Sequence, residues 1–348
     1  MKVTKSPFGQ THEGIETELF TLSNDNEVTV KISNYGAMVT SIVTPDKNGQ
    51  LAEIVLGFDT LADYLSPEYL QNYPYFGAVC GRCCNRIDKG KFTLNGKNYS
   101  LAVNNGPNHL HGGLIGFDRR LWAVEIIEEE VSVGLKLLLL SPDGEEGYPG
   151  NLKVTCTYTL NNNNELTIEY NAETDQTTLV NLTNHTYFNL TGGRDSILNH
   201  DLELTAKTFT ESVDSIPTGE ILPVEGTPND FLIMKKLGQD IAEGEMGYDL
   251  NFVLDNESDD MVHAGTLSET ISGRMVDVYT TQPGIQLYTG YWIPELTIGG
   301  VQKFGSYSGV ALETQHYPDS INKPQFPPVT LEPGEVFYEK TSYIFGTH

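Results

Sequence analysis

A histidine and a glutamate, far apart in the chain, have the clearest potential for chemistry. His185 lies in the segment 181–190, NLTNHTYFNL, among Asn, Thr and Tyr side chains that form hydrogen bonds. Glu313 lies in the segment 309–320, GVALETQHYPDS, where an apolar run makes an unpaired carboxylate costly to bury. An imidazole and a carboxylate together can transfer protons as a general acid and a general base. A structural histidine and a paired structural glutamate satisfy the same patterns, so both explanations stay open.

Other segments carry further polar side chains that can bind a hydroxyl-rich ligand. Arg86 follows Asn85 in GRCCNRI, and its charge needs an acceptor, for which a structural salt bridge is the ordinary alternative. Asp249 precedes an apolar run in MGYDLNFVL, where aspartate also serves as a turn or cap residue. Gln286 adds an amide. This set suits proton transfer on a neutral ligand such as a sugar. The aromatic residues that can stack on the apolar face of a sugar ring are Trp122, Tyr288 and Trp292.

Two histidines in the loop 104–118 suggest a metal site as an alternative. His109 and His111 are two residues apart, and in a strand they would point to the same side. Zinc needs a third protein ligand, which His185 can supply. However, no H-x-x-x-H pattern or adjacent carboxylate accompanies the pair, so we expect no metal. The glycines of the same loop allow its backbone to approach a ligand closely.

Charge and motif content argue against several functional classes. The chain has 21 Lys+Arg against 47 Asp+Glu, a formal net charge of −26, which opposes binding to nucleic acid and to anionic membrane surfaces. It has no Gly-rich phosphate loop of the Rossmann or Walker type and no G-x-S-x-G motif, so neither a nucleotide enzyme nor a serine hydrolase is indicated. We therefore expect a small neutral ligand, with no nucleic acid and no membrane as partner.

The N-terminal residues and the cysteines favour a cytoplasmic location. Residues 1–14 lack the apolar segment of a secretory signal, and the longest aliphatic run, Leu137–Leu140, is too short to span a membrane. In the reducing cytosol the cysteines would stay free, and we expect them to be small buried residues. They are Cys80, Cys83, Cys84 and Cys156.

The elements that must position these residues are mainly strands. Short alternating runs rich in β-branched and aromatic residues, with turn signals every 8–12 residues or so, predict an all-β fold, a large β-sandwich. Asn95-Gly96 predicts a tight hairpin that joins Lys91–Leu94 to Lys97–Leu101, and residues 161–164 predict another turn. Only residues 60–71 and 234–244 have the pattern of short helices. No linker or repeat divides the chain, so we expect a single domain over residues 1–348.

The segment around His185 alternates as a strand does. Regular alternation predicts one entirely polar face, which we expect to line a cleft, with Asn184 and Phe188 on the reverse side. A bulge at Asn184 would overturn this assignment. The residues of the polar face are Asn181, Thr183, His185, Tyr187 and Asn189.

Seven motifs in order resemble those of the aldose 1-epimerases, also called galactose mutarotases, over nearly the whole chain. They are FGAVCGRCCNRI (76–87), NHLHGG (108–113), GYPG (147–150), TNHTYFNL (183–190), YD (248–249), QLYTG (286–290) and ETQHYPDS (313–320). Each motif alone is weak, but all seven occur in the family's order at family-like spacing. The Cys83-Cys84 pair departs from the family pattern, which more often has other small residues there, and we expect it to affect packing more than chemistry.

The resemblance implies a galactose mutarotase-like supersandwich with an open sugar cleft, and no metal or organic cofactor in the chemistry. It implies an isomerase that interconverts the α- and β-anomers of aldohexoses such as D-galactose and D-glucose. We expect a monomer or weak homodimer. The family's general base falls on Glu313 and its general acid on His185. Its substrate-binding positions fall on Arg86, His111 and Asp249, with Asn85 and Gln286 as secondary contacts.

Two alternative functions remain open at this point. A non-catalytic carbohydrate-binding protein could use the same fold and aromatic cleft, although binding hydroxyls does not require an acid and a base. A hexose-6-phosphate mutarotase would need additional cations for the phosphate, and the matched motifs contain no Arg/Lys cluster.

Overall fold

The computed structural model describes residues 1–242, 246–255, 260–298 and 301–348. Most of its regular structure is antiparallel strand, numbered here in chain order. A search of these described residues finds no helix of the length and apolarity that crossing a membrane requires.

An antiparallel sheet of five strands is formed by the N-terminal part of the chain, in sequential order. In β2, Phe20 and Leu22 point to the same face and are buried in the main hydrophobic cluster. The strands are β1 (Lys2–Gln10), β2 (Glu16–Ser23), β3 (Thr29–Ser33), β4 (Val39–Pro45) and β5 (Leu51–Glu53).

A larger antiparallel sheet has the strand order β11-β12-β13-β14-β30-β24-β23-β18-β21. Strand Leu152–Asn161 shows strict two-residue alternation of buried and more exposed positions, so one face of this sheet packs against the core. The strands are β11 (Ala123–Glu128), β12 (Ser132–Ser141), β13 (Leu152–Asn161), β14 (Glu165–Thr174), β18 (Asp201–Leu204), β21 (Lys235–Lys236), β23 (Val262–Ser268), β24 (Arg274–Thr280) and β30 (Phe337–Thr347).

A third sheet, with the order β17-β28-β25-β22-β19-β20, carries several of the candidate site residues. Its register places Gln286 directly opposite Glu313, and Asp249 opposite Tyr288. The strands are β17 (Tyr187–Phe188), β19 (Thr208–Val213), β20 (Ile216–Pro223), β22 (Asp249–Val253), β25 (Gly284–Tyr288) and β28 (Val310–Gln315).

Short two-stranded ladders connect these sheets. The β8/β9 ladder confirms the hairpin predicted at Asn95-Gly96, and the turn between β13 and β14 confirms the one predicted at residues 161–164. The ladders are β6 (Val79–Cys80) with β16 (Thr183–Asn184), β7 (Arg86–Ile87) with β10 (His109–Leu110), β8 (Lys91–Leu94) with β9 (Lys97–Ser100), β15 (Thr178–Leu179) with β29 (Thr330–Leu331), and β26 (Leu296–Ile298) with β27 (Val301–Phe304).

One hydrophobic cluster draws its residues from all three large sheets. It includes Phe20 of β2, Leu135 of β12, Phe252 of β22 and Leu312 of β28, each at most 2% exposed. Packed sheets that share a core in this way confirm the predicted all-β sandwich.

Helices are short, and the first predicted helical segment is confirmed. It forms α1 (Leu61–Tyr64) and α2 (Pro67–Gln71), whose N-caps Thr60 and Ser66 accept hydrogen bonds from backbone amides of the first turn. Single 3₁₀ turns lie at Asp88–Gly90, Phe117–Arg119, Glu145–Gly147, Ile197–Asn199 and Ser320–Asn322.

The helix predicted over residues 234–244 is wrong for the part that the structure describes; residues 243 and 244 lie outside it. Lys235–Lys236 instead forms strand β21, in which Lys236 pairs with Asp201 at the edge of the nine-stranded sheet. Leu237, which follows, is fully buried. Tertiary pairing thus overrides the weak helix propensity of this segment.

Candidate active site

The segment that carries His185 is not one regular strand, so the predicted alternation fails in that respect. Residues 183–184 pair with β6, whereas residues 187–188 pair with β28 in a different sheet. Between the two ladders, the His185 amide donates to the Ala78 carbonyl and the Gly77 amide donates to the His185 carbonyl, each at 2.9 Å. The chain therefore changes partners at His185, and its imidazole lies beside Tyr187 of β17 and Glu313 of β28.

The rest of the segment lies in the interior of the protein. All ten residues 181–190 are buried. Asn184 donates to the Tyr158 hydroxyl at 3.2 Å, and Phe188 packs against Tyr343 with 5.3 Å between ring centroids. These contacts confirm that both side chains lie on the core side, away from His185.

Glu313 and His185 meet in the interior. The distance from His185 Nε2 to Glu313 Oε1 is 3.6 Å, too long for a good hydrogen bond, and the two residues are only 4% and 2% exposed. Among the residues that the structure describes, neither Glu313 Oε2 nor His185 Nδ1 has a hydrogen-bond partner. Buried polar atoms are almost always paired, so this arrangement indicates groups that await a ligand.

A second polar group borders this pair and remains partly exposed. Gln286 Nε2 donates to Asp249 Oδ1 at 2.7 Å, and Arg86 Nη1 lies 3.8 Å from Asp249 Oδ2. Arg86 Nε also donates to Asn105 Oδ1 at 3.0 Å. Asp249 is the first residue of β22 rather than a turn residue. The structure thus brings the predicted cation, carboxylate and amide together.

His111 is held by reciprocal bonds with Asn85. The Asn85 amide donates to His111 Nδ1 at 3.1 Å, and the His111 amide donates to the Asn85 carbonyl at 3.1 Å. Both residues have positive φ, 56° and 49°, and the Asn85 side-chain oxygen accepts from the Arg86 amide. Because Nδ1 accepts a hydrogen bond, a neutral His111 carries its proton on Nε2 and presents a donor.

The expectation that the His109 and His111 side chains point to the same side of a strand is wrong. Strand β10 ends at Leu110, and the left-handed backbone of His111 turns its ring elsewhere. The His109 ring nitrogens lie 2.7 Å from the Ala102 carbonyl and 2.6 Å from the Tyr148 hydroxyl, so both are satisfied within the fold. His109 is a structural residue.

Three potential metal-ligand atoms, from His111, His185 and Glu313, lie within 4.8 Å of one another. Metal-bound histidine normally donates its second ring N–H to an acceptor. His111 Nδ1 does the opposite, since it accepts from the Asn85 amide. That hydrogen bond opposes ligation through Nε2, because it requires the tautomer with Nε2 protonated.

Burial dominates the electrostatics of the site. It raises the pKa of Glu313 well above the usual value, an effect that Asp249 increases and Arg86 decreases. It lowers the pKa of His185 to about 3. It also lowers the pKa of His111 well below the usual value, and nearby His185 and Arg86 add to this. Residue type alone suggests an imidazole that titrates near neutrality, and burial moves the pKa of His185 out of that range.

Sequence reasoning missed two tyrosines that contact His185. Tyr187 and Tyr75 lie nearly parallel to its ring, and Tyr75 also contacts His111, with 4.7 Å between ring centroids. The sequence pattern assigns Tyr187 only to the polar face of a strand. The signal for Tyr75 was its place in Tyr73-Pro74-Tyr75, immediately before the first family-like motif.

The predicted stacking residues separate into two kinds. The prediction that Trp122 stacks on a sugar ring is wrong, because Trp122 is only 1% exposed and its indole nitrogen donates to the Phe117 carbonyl inside the core. Tyr288 is half-buried, and its hydroxyl accepts from the Trp292 amide at 2.8 Å. Trp292 is 65% exposed. Tyr288 and Trp292 remain candidates at the rim of the site.

The cysteines are all free and buried, which confirms their expected role as packing residues. Beside them, Arg82 is a buried cation that sequence reasoning also missed. Its guanidinium donates to the carbonyls of Ser141, Pro142, Pro149 and Gly150, and so fastens the loop 141–150. The same stretch of chain thus anchors a loop through Arg82 and carries the candidate site residue Arg86.

Comparison with known proteins places this chain in a recognised family. The family model "Aldose 1-epimerase" matches residues 18–344. Galactose mutarotase of Sus scrofa is 45% identical over 99% of both chains, and aldose 1-epimerase of Escherichia coli (strain K12) is 34% identical over 96% of both.

Solved structures agree with this assignment. An aldose epimerase homologue from C. elegans superposes with a TM-score of 0.84 at 32% identity, covering 94% of this chain and 98% of that chain. A galactose 1-epimerase from Lactobacillus acidophilus gives a TM-score of 0.85 at 28% identity, covering 100% and 99%. The chain belongs to the aldose 1-epimerase family, a family of isomerases.

Proposed function

We propose that the buried His185–Glu313 pair interconverts the α- and β-anomers of aldohexoses, with D-galactose and D-glucose as substrates. One observation carries the proposal: an imidazole and a carboxylate 3.6 Å apart, each with a ring or carboxylate atom that lacks a partner among the described residues, beside groups that bind hydroxyls. The relatives named galactose mutarotase, with 42–45% identity over nearly the full length, support the substrate class.

Anomer exchange requires the hemiacetal ring to open and then close on the other face. In the opening step Glu313 removes the proton of the C1 hydroxyl while His185 donates a proton to the ring oxygen O5, and the C1–O5 bond breaks to give the aldehyde. Rotation about C1–C2 presents the other carbonyl face. The two groups then act in reverse: His185 takes the proton back from O5 and Glu313 returns one to O1, so neither group is changed over a cycle.

The pair must share a single proton for this chemistry. Burial favours the neutral form of the pair, in which the Glu313 carboxyl is protonated and the His185 imidazole is neutral. Moving that proton from Glu313 to His185 gives the charge-separated form, a carboxylate with an imidazolium, without changing the number of protons. The charge-separated form is the one that acts as base and acid. Arg86 lowers the pKa of Glu313 and so favours this form.

The surrounding groups divide between oxygen stabilisation and substrate orientation. His111, a donor through Nε2, and Arg86 stabilise negative charge as it moves between O1 and O5. Asp249 accepts hydrogen bonds from distal hydroxyls. Asn85 holds His111 and Gln286 holds Asp249, as secondary contacts, by the bonds of 3.1 Å and 2.7 Å described above.

Polarimetry on freshly dissolved α-D-galactose tests these roles. We expect Glu313→Gln to lower kcat by roughly 10²–10⁴, the usual contribution of a positioned proton-transfer group. The matched control is Glu339→Gln, which removes the carboxylate of a different His–Glu pair, His316 with Glu339 at 2.9 Å, and should leave kcat unchanged. Wild-type interconversion by a folded Glu313→Gln protein would refute the assignment.

His185→Asn tests the acid in the same assay. We expect a loss of kcat similar to that of Glu313→Gln, with sugar binding retained. Loss of binding with kcat intact would make His185 a binding group. Sugar binding by wild-type protein without any acceleration of mutarotation would instead identify a non-catalytic carbohydrate-binding protein.

The organisation and location of the protein are also part of the proposal. We propose one domain over residues 1–348, a monomer or weak homodimer, and a cytoplasmic location. The single domain is supported by a hydrophobic core that contains strands from both the N-terminal and the C-terminal part of the chain. The cytoplasmic location is supported by the four free cysteines. Light scattering after size-exclusion chromatography measures the oligomeric state.

A further inference from the structure

Two tyrosine rings lie almost parallel to the His185 imidazole. The Tyr187 centroid is 4.7 Å from that of His185, with 28° between the planes, and the Tyr75 centroid is 6.0 Å away, with 16° between the planes. We propose that Tyr75 and Tyr187 are positioning residues for proton transfer, which fix the orientation of the His185 ring and stabilise its protonated form. The inference rests on the proposed function and adds residues to it.

The backbone at Tyr75 is arranged to present its ring to His185. Tyr75 has φ of 58°, a left-handed conformation that is unusual for an aromatic residue. The turn that follows is closed by a 3.1 Å bond from the Ala78 amide to the Tyr75 carbonyl. Gly77 and Ala78 of the same turn make the two 2.9 Å backbone bonds to His185. One short segment therefore binds the backbone of His185 and places a ring nearly parallel to its imidazole, with 6.0 Å between centroids. Strained residues of this kind cluster at functional sites.

The tyrosine faces favour a charged imidazole over a neutral one. An aromatic face carries negative potential and attracts a cation within about 6 Å of its centroid. This attraction acts against burial, which disfavours charge on His185. Glu313, at 3.6 Å, contributes in the same direction. The other titratable or charged groups near His185 or its two tyrosines, among the described residues, are His111, Cys80, Asp118, Tyr69, Tyr73, Tyr288, Arg86 and Arg119.

Loss of one aromatic face should therefore lower the population of the active form. The pair shares one proton, and only the arrangement with protonated His185 transfers it to O5. Weaker stabilisation of imidazolium reduces that fraction at every pH where the pair holds one proton, so kcat falls. Substrate binding does not depend on which member carries the proton, so KM should change little.

Tyr75, which is half-buried, offers the cleaner substitution. We expect Tyr75→Leu to lower kcat roughly 10-fold, the size of one desolvated cation–π contact, with KM within about twofold of wild type. Tyr75→Phe keeps the aromatic face and should keep the wild-type kcat. Tyr75→Met provides a second non-aromatic variant if Tyr75→Leu folds poorly, as judged by circular dichroism and the urea midpoint.

A double-mutant cycle separates action through His185 from a general structural effect. In the His185→Asn background, Tyr75→Leu should produce no further loss of kcat, since there is no imidazolium left to stabilise. An equal loss in both backgrounds would overturn the inference. So would a change confined to KM, which would make Tyr75 a sugar contact, or equal losses in Tyr75→Phe and Tyr75→Leu, which would implicate the hydroxyl.

These outcomes are distinguishable from failure of the proposed function. If Glu313→Gln abolishes mutarotation while Tyr75→Leu is fully active, only the tyrosine inference fails. If Glu313→Gln retains full activity, the proton-transfer assignment fails, whatever the tyrosine variants do.

Discussion

Replacing His185 by Asn should make the protein less sensitive to acid. Burial lowers the pKa of His185 to about 3 in the folded state, whereas an unfolded histidine titrates near about 6.5. Between these two values the unfolded chain binds a proton that the folded protein does not. The contribution of His185 to stability is therefore fully present above pH 6.5 and is lost as pH falls toward 3.

The size of the effect follows from the number of protons. One proton taken up only by the unfolded state lowers the free energy of unfolding by at most about 1.4 kcal/mol per pH unit. Because an unfolded histidine is about half protonated at pH 6.5, the loss between pH 6.5 and pH 5.0 is about 1.6 kcal/mol. The Asn side chain does not titrate, so the variant should lack this loss. Glu313 is present in both proteins but is coupled to His185 across 3.6 Å, so the difference between the two pH dependences reports the proton uptake of the pair with and without the imidazole.

Urea unfolding at pH 6.5, 5.75 and 5.0 measures the difference, from midpoints and slopes fitted for both proteins. The free energy of unfolding of wild type should fall more steeply than that of His185→Asn over this range. His12→Asn, which removes an exposed imidazole at the N-terminal end of the chain, is the control and should follow wild type. Parallel curves for wild type and His185→Asn would refute the reasoning, because they would show that the buried imidazole takes up its proton in the folded state.

Three further outcomes follow from the structure. Because burial raises the pKa of Glu313, its stabilising contribution is complete below about pH 4.5 and declines as pH rises, so Glu313→Gln should raise the urea midpoint more at pH 8 than at pH 4.5. Asp249→Asn should raise KM for galactose with a smaller change in kcat, measured by polarimetry, if this carboxylate holds distal hydroxyls. Gly112→Ala should unfold or severely destabilise the protein, because its Cβ would lie 1.7 Å from the Gly81 carbonyl oxygen. Gly106 also has positive φ but has open space around it, so Gly106→Ala is the control. It should lower the free energy of unfolding by only about 1 kcal/mol, measured by thermal or urea unfolding.

Residue pattern alone predicted much of the fold, for identifiable reasons. Turn chemistry is local, so the Asn95-Gly96 hairpin and the turn at residues 161–164 were both correct. Two-residue alternation is a direct consequence of strand geometry, and β13 shows it throughout. The helix predicted over residues 234–244 failed because pairing of Lys236 with Asp201 is a long-range contact that no local pattern contains.

The candidate site was predicted in composition but not in arrangement. Motif resemblance identified His185 and Glu313, and the structure brings them to 3.6 Å although 128 positions separate them (313 − 185). Alternation could not show that the chain changes sheets at His185. Nor could it show that His111 leaves the strand that carries His109, because that depends on a left-handed backbone held by Asn85. Residue type suggests a histidine titrating near neutrality, and only burial reveals the lowered pKa.

The buried guanidinium of Arg82 has a consequence for engineering this protein. Arg82 fastens the loop 141–150, and Gly81 beside it receives the tight approach of Gly112 from the loop 104–118. Both loops are therefore attached to the chain just before Arg86. A chimera that exchanges either loop with that of a relative should retain activity only if the segment 81–86 is transferred with it, so loops and segment form one exchangeable module.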